Sequence, residues 1–218
     1  PQRISAVDFA TGKLVWQIEP YSELATAAEG DSPQSAVKKL NQLIWLDKTY
    51  GTMSCDGERM FVVEGFGGSG REILDRFGRR QYDSSSAYNI LAAYDVSRTE
   101  GKLAWSVGGP EDGDEKLSQA FFLGPPLPLQ GRLYGIAELS GEIRLVVLDA
   151  RTGDYLWDQP LAVIQAGDFD YLRRRTCGIS PSFAEGVLVC PTGVGAVVAI
   201  ELTTRSLLWG HQYPSEEK

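Results

Sequence analysis

Residues 6–16 read Ala-Val-Asp-Phe-Ala-Thr-Gly-Lys-Leu-Val-Trp, an acidic residue followed by a turn and then a tryptophan. Three later stretches repeat this pattern, from Asp95 to Trp105, from Asp149 to Trp157 and from Glu201 to Trp209. The last three tryptophans are each 52 residues apart, whereas the first two are 89 apart, which is one period plus 37 residues. A fixed long period is typical of repeat architectures, so the period has to be interpreted before any single element.

Each copy of the pattern predicts a β-hairpin. Apolar residues alternate before the acidic residue, as on a half-buried strand. The carboxylate can accept hydrogen bonds from the backbone N–H groups that follow it, and the glycine supplies the positive φ that the turn requires. The tryptophan then falls on the second strand, where its ring can pack against a neighbouring repeat. The predicted docking residues are Asp8, Gly12, Trp16, Asp95, Gly101, Trp105, Asp149, Gly153, Trp157, Glu201 and Trp209.

These residues resemble the tryptophan-docking motif Ala-x-Asp-x-x-Thr-Gly-Lys-x-x-x-Trp of the pyrroloquinoline-quinone (PQQ) repeat family of β-propellers. Residues 6–16 match it without a gap, and Asp149–Trp157 match it with Asp154 in place of lysine. The second copy has two extra turn residues, and the fourth has Glu201 for aspartate and Arg205 for glycine. The resemblance implies an all-β propeller of four-stranded antiparallel blades. It implies less about function, because one architecture hosts many unrelated activities.

The spacing predicts about three and a half blades. Residues 1–18 form half a blade, and full blades cover 51–107, 121–157 and 179–213. Three and a half blades cannot close a ring and would leave strand edges exposed. We therefore expect residues 1–218 to form one partial propeller domain of a larger ring, with the remaining blades supplied by a longer chain.

Four connections are long, and all are predicted to lie on the same face of the propeller. In a four-stranded meander, the turns after the first and third strands share one face, and the other connections share the opposite face. The first long connection is a helical insertion, because Ser32-Pro33 starts a helical spacing of apolar residues that predicts a helix over about 33–46. Binding residues usually lie on such loops. The long connections are 19–50, 67–88, 108–120 and 158–178.

The composition excludes some classes of partner and site. The net charge of −8 argues against nucleic acid as the main partner, because phosphate binding needs a basic face. No run of 18 apolar residues occurs, so no transmembrane segment is predicted. A hairpin centred on Glu185-Gly186 would set Cys190 opposite residue 181 and not opposite Cys177. We therefore predict no disulfide between these two residues, and the sequence leaves open whether they and Cys55 are thiols or form other disulfides.

Three functions remain open at this point. The resemblance favours a non-catalytic scaffold that binds a protein partner, as in exported, periplasmic members of the family that hold no quinone. The alternative is a PQQ- and calcium-dependent quinoprotein dehydrogenase, which needs a carboxylate base and oxygen ligands for calcium. Many such enzymes also carry an adjacent pair of cysteines, and this chain has none. A glycan-binding or small-ligand-binding propeller is the third hypothesis.

No catalytic, cofactor-binding or metal-binding residue is predicted, and neither PQQ nor calcium is expected as a cofactor. The acidic run at 111–115 could hold calcium, but such runs are usually solvated loops. Two arginine clusters on the long connections are the candidate partner surface, since arginine fits anionic groups well. They are Arg79 and Arg80 in the second connection and Arg173, Arg174 and Arg175 in the fourth.

Overall fold

The structure is a computed structural model that describes residues 3–18, 45, 47–64, 72–74, 80–82, 88–96, 101–109, 116–164 and 171–213. Within those residues the chain is all-β, apart from one short helix at 171–176 and the helical residue Trp45. The predicted helix over 33–46 lies outside the described residues except for Trp45, which is helical. The acidic run at 111–115 and Arg79 also lie outside them.

The first two sheets follow the predicted half blade and the first full blade. Strands β1 (Ile4–Val7) and β2 (Leu14–Ile18) pair antiparallel as a two-stranded sheet. The second sheet has the order β3-β4-β7-β8, with bounds Met53–Cys55, Arg59–Glu64, Ile90–Asp95 and Leu103–Val107. Between β4 and β7, strands β5 (Glu72–Leu74) and β6 (Arg80–Tyr82) form a separate hairpin within the predicted insertion 67–88.

The third and fourth sheets are also antiparallel meanders. In the third sheet, β9 (Phe121–Phe122) and β10 (Leu127–Leu129) both pair with β11 (Arg132–Leu139), so the first strand is split in two. Strands β12 (Glu142–Asp149) and β13 (Tyr155–Val163) complete it, and β13 runs six residues past the predicted end at Trp157. The fourth sheet is β14 (Ser182–Ala184), β15 (Val187–Pro191), β16 (Ala196–Glu201) and β17 (Ser206–Gln212). The short helix α1 (Tyr171–Thr176) precedes it and was not among the predicted elements.

Three apolar clusters fill the spaces between successive sheets. Trp16 packs with Met60 and Tyr94 between the first and second sheets. Phe61 and Phe122 belong to the cluster between the second and third sheets. The largest cluster joins the third sheet to the fourth. The sheets therefore stack face to face in chain order, as successive blades of a propeller do.

Backbone hydrogen bonds separate a face of short turns from a face of long connections. On the first face, the turn after the third strand of each full sheet is bonded to the turn after the first strand. These bonds run from Val96 N to Glu58 O (3.0 Å), from Ala150 N to Gly131 O (3.0 Å) and from Leu202 N to Gly186 O (2.9 Å). On the opposite face, Ile164 N donates to Gly141 O at 2.9 Å, at the start of the connection to the fourth sheet. We call these two faces the short-turn face and the long-connection face.

No disulfide joins Cys177 to Cys190, as predicted, and all three cysteines are free thiols. Ser182 lies opposite Val189, and this register carries Cys190 away from Cys177. Burial raises the pKa of Cys190 to about 12 and that of Cys177 to about 11, so neither forms a reactive thiolate near neutral pH. Among the described residues there is also no helix long and apolar enough to cross a bilayer.

Candidate functional site

The four predicted docking tryptophans occupy one register position in their sheets. Each lies opposite a small residue of the preceding strand, and the pairing shifts immediately after that residue. The pairs are Trp16–Ala6, Trp105–Ala93, Trp157–Val147 and Trp209–Ala199. A shift of this kind is a β-bulge or a related irregularity, which bends the strand locally. The four tryptophans therefore occupy equivalent backbone positions in their sheets.

The first two rings pack against the glycine turn of the following sheet. A Cβ built on Gly101 would lie 2.8 Å from Cε3 of Trp16, and one built on Gly153 would lie 2.7 Å from Cδ2 of Trp105. Both glycines also have positive φ, at 56° and 81°. The Trp105 indole N–H donates to the carbonyl of Ala150 in the same turn, at 3.3 Å. Glycine is required here both for its backbone conformation and for the room it leaves.

The third junction uses an arginine in place of the glycine. Arg205 has φ 59°, so it takes the left-handed backbone that a glycine would adopt. Its guanidinium carbon lies 4.8 Å from the centroid of the Trp157 ring, which is a cation–π contact. The fourth copy therefore keeps the turn geometry despite its unusual sequence, and the arginine side chain covers the ring.

The carboxylates of Asp8, Asp149 and Glu201 accept hydrogen bonds within their turns. Thr11 donates to Asp8 Oδ1 through both its N–H and its hydroxyl, at 2.7 Å each, and the hydroxyl bond lowers the pKa of Asp8. Asp149 Oδ1 accepts from the N–H of the second and third residues after it, at 2.8 and 3.0 Å. Asp95 closes its turn through its backbone N–H, which donates to Lys102 O at 2.8 Å. Glu201 accepts a hydrogen bond from the Thr204 hydroxyl.

The three arginines of α1 belong to the candidate partner surface, but they do not all face the solvent. Arg173 is exposed. Arg174 pairs with Glu138 at 3.0 Å, and these two side chains are 12% and 7% exposed. Arg175 pairs with Asp47, and these two are 8% and 2% exposed. Two of the three arginines thus turn inward, because buried carboxylates on neighbouring elements face them.

A network of backbone and side-chain bonds holds Asp47 in place. Its Oδ1 accepts from the Thr49 N–H (2.9 Å), the Thr49 hydroxyl (2.7 Å) and the Tyr50 N–H (3.0 Å), which leaves Oδ2 for Arg175. The N–H of Lys48 donates to the carbonyl of Arg175 at 2.6 Å. The connection before the second sheet is therefore bound directly to the connection before the fourth.

Asp47, Glu138, Arg174 and Arg175 together form what we call the arginine clamp. It joins three parts of the long-connection face: the segment before β3, the end of β11, and α1. The guanidinium of Arg175 also lies 5.9 Å from the centroid of the Phe121 ring. The sequence offers no signal for this pairing, since the arginine and its aspartate are 128 residues apart. Of the other predicted cluster, Arg80 begins β6.

Glu64 is a third buried acid on this face, at the end of β4. It is 4% exposed and accepts a hydrogen bond from the Tyr94 hydroxyl at 2.8 Å. Burial raises its pKa to about 7. The hydrogen bond offsets only part of that desolvation, so Glu64 carries its proton more readily than an exposed glutamate.

Replacing Glu64 by glutamine should stabilise the protein at alkaline pH. In the wild type, the unfolded state loses the Glu64 proton above its ordinary pKa of 4.5, whereas the folded state keeps it until about pH 7. Stability therefore falls between these values and then levels off, with a loss of up to about 3 kcal/mol at 1.4 kcal/mol per pKa unit. Urea denaturation of both proteins at several pH values measures this. Parallel curves across the range would contradict the burial of this carboxyl.

Among the described residues, no group of three or more His, Cys, Asp or Glu side chains comes together in a way that could hold a metal ion. The acids that the structure describes on the long-connection face are engaged with arginines or with Tyr94. An open cleft of about 570 Å³ lies on the short-turn face, between the turns at Asp56 and Gln130, which is not the elaborated side.

Comparison with known proteins identifies the repeat. A family model described as outer membrane protein assembly factor BamB matches residues 88–218. BamB from Moraxella catarrhalis has a similar structure, with a TM-score of 0.55 and 13% identity over 99% of this chain and 45% of that one. No curated protein matches the sequence at a significant level.

Two dehydrogenases share the fold to a similar degree. A europium-containing methanol dehydrogenase gives a TM-score of 0.52 at 11% identity, over 96% of this chain and 38% of its own. The quinohemoprotein alcohol dehydrogenase from Comamonas testosteroni gives 0.51 at 13%, over 96% of this chain and 32% of its own. The chain thus spans less than half the length of the solved structures that it matches here. At these identities the likeness establishes the propeller fold alone.

Proposed function

Because the chain belongs to the PQQ-repeat family described as outer membrane protein assembly factor BamB, we propose that it is a non-catalytic propeller scaffold. It binds a protein partner through its long-connection face. The family's description further supports a role in assembling outer-membrane proteins, and hence an exported, periplasmic location. We also propose that a longer polypeptide supplies the remaining blades, which would complete a larger ring.

The arginine clamp is the observation that carries this proposal. It fixes the segment before β3, the end of β11 and α1 to one another, so this described part of the long-connection face is preorganised. A fixed surface loses less conformational entropy on binding than a set of independent loops.

Exposed Arg173 gives the direct test of the binding face. Arg173→Glu should weaken binding to the host's purified outer-membrane protein assembly complex at least about tenfold, because a reversed charge opposes an acidic contact. Arg151→Glu is the matched control, since Arg151 is also exposed but lies on the short-turn face. Biolayer interferometry measures both. An equal loss in the two variants, or none in Arg173→Glu, would reject the long-connection face as the interface.

A thermal-shift measurement separates the scaffold from a quinoprotein. A cofactor that binds only the native state stabilises it by an amount that grows with the logarithm of 1 + [cofactor]/Kd, and the melting temperature rises accordingly. We expect PQQ and calcium, added together, to leave the melting temperature of this chain unchanged. A rise that grows with cofactor concentration would favour the dehydrogenase alternative, and calcium alone serves as the control for nonspecific cation effects.

A further inference from the structure

We infer that the partner of the long-connection face binds it with an acidic segment, whose carboxylates contact Lys48 and Arg173 and whose apolar side chain packs against Trp45. The inference rests on the proposed function, since it names the chemistry of the partner at the same face. All three side chains are exposed, and none of them belongs to the apolar clusters between the sheets. They are therefore not part of the contacts that stack one blade on the next.

Lys48 and Arg173 lie around the same sulfur atom. Burial raises the pKa of Cys177, and the positive charges of Arg173 and Lys48 act in the opposite direction, so both charges are near its thiol. The Cys177 thiol donates to the carbonyl of Arg173, with 3.2 Å between sulfur and oxygen. A Cβ built on Gly178 would lie 3.1 Å from Cβ of Lys48. The segment before β3 and α1 thus each bring one exposed cation to a common site.

The backbone that carries these cations is held in place. Lys48 lies between Asp47 and Thr49, which are 8% and 1% exposed. Its N–H donates to the carbonyl of Arg175 at 2.6 Å. Arg173 is on α1, which the ion pairs of the arginine clamp fix to the neighbouring elements. Side chains on a fixed backbone lose less conformational entropy when a partner binds.

The charges at this surface favour an acidic partner. Both acids of the arginine clamp, Asp47 and Glu138, already pair with arginines. Lys48 and Arg173 add exposed positive charge beside them, whereas the chain as a whole has a net charge of −8. Opposite charges across an interface accelerate association and disfavour partners of the wrong charge. A segment that carries carboxylates is complementary to this surface.

Trp45 supplies the apolar part of the surface. It is 77% exposed and precedes Asp47, which the clamp holds, by two positions. It lies outside the repeat, so it occupies no docking position in a sheet. Tryptophan and arginine are among the residues that most often contribute large binding energies in protein interfaces. An acidic segment that also carries an apolar residue can cover the indole while its carboxylates reach the two cations.

Carbodiimide cross-linking tests the contact between Lys48 and a carboxylate. The reagent joins an amine to a carboxylate that touches it through an amide bond, and the carbodiimide takes up the water that is released. With the host's purified outer-membrane protein assembly complex, we expect Lys48 to be joined to an aspartate or glutamate of the complex. Peptide mass spectrometry identifies the linked residues. Lys102 is the control amine, since it is also exposed but lies on the short-turn face.

Four variants separate the charge, the amine and the indole. Lys48→Arg keeps the positive charge but has no amine, so it should bind like the wild type and lose the cross-link. Lys48→Glu should weaken binding at least about tenfold at low salt, and less at high salt, because salt screens the contact. Trp45→Ala should weaken binding at least about tenfold at either salt concentration. Lys102→Glu should bind like the wild type, and circular dichroism confirms that each variant is folded.

The outcomes distinguish this inference from the proposed function. If the wild type does not bind the complex, the scaffold proposal and the inference both fail. If the wild type binds, but Lys48→Glu and Trp45→Ala bind equally well, or Lys48 and Lys102 cross-link to the same extent, only the inference fails. It also fails if Lys48→Glu loses binding to phosphatidylglycerol vesicles and not to the complex, because the cations would then contact a lipid headgroup.

Discussion

Arg175→Met should lower the free energy of unfolding by about 3–5 kcal/mol, because it removes one partner of a buried ion pair. The carboxylate of Asp47 is 2% exposed and would lose its counter-ion without gaining access to water. Methionine retains most of the side-chain volume, so the expected loss comes from the uncompensated charge and not from a cavity. Urea denaturation at neutral pH measures it.

Two further variants isolate the ion pair in that result. Adding Asp47→Asn to Arg175→Met removes the stranded charge and should restore a large part of the lost stability. Arg173→Met, on the same helix but exposed, should change stability by less than about 0.5 kcal/mol. If Arg175→Met and Arg173→Met had equal effects, the clamp would have no energetic role.

Gly153→Ala should destabilise the protein by about 2–5 kcal/mol. The left-handed backbone costs alanine about 1–2 kcal/mol, and forcing a methyl group against a packed ring adds about 1–3 kcal/mol. In the native structure that methyl group would lie 2.7 Å from the Trp105 ring, and φ at this position is 81°. Thermal and urea denaturation measure the loss, and indole fluorescence reports whether the ring moves.

Gly12→Ala is the matched control, because Gly12 has the same kind of turn and an open surface. Its φ is 67° and its Cβ would meet nothing within 4 Å, so only the backbone term of about 1–2 kcal/mol applies. Both variants should be compared under the same conditions. If the two losses were equal, the ring would not constrain the turn at Gly153.

The hairpins could be predicted because their determinants are local. An acidic residue, a glycine and a tryptophan within a dozen positions specify the turn, its left-handed residue and the ring. Even Arg205, whose turn geometry the sequence leaves in doubt, adopts the glycine backbone at φ 59°. Its contact with Trp157 follows from the stacking of sheets and is not visible in a single repeat.

The long-connection face could be predicted only as a location. The alternation of turns in a four-stranded meander assigns the loops to one face. A run of three arginines in the sequence does not show which of the side chains point outward and which point inward. Asp47 and Glu138 decide that, and both are distant in sequence from the helix they hold. α1 has six residues, too few for a recognisable helical period.

The register shift beside each tryptophan bears on which changes in length the repeats can accept during evolution. In all four copies the ring follows the left-handed residue by four positions, whereas the acidic residue precedes it by four positions in three copies and by six in the copy with Asp95. Side chains alternate between faces, so one residue lost between Gly153 and Trp157 would turn the indole away from its partner. Insertions between acid and glycine leave the ring where it is. Relatives should therefore vary in the number of residues between the acidic residue and the left-handed residue. They should keep the spacing of four positions between the left-handed residue and the tryptophan.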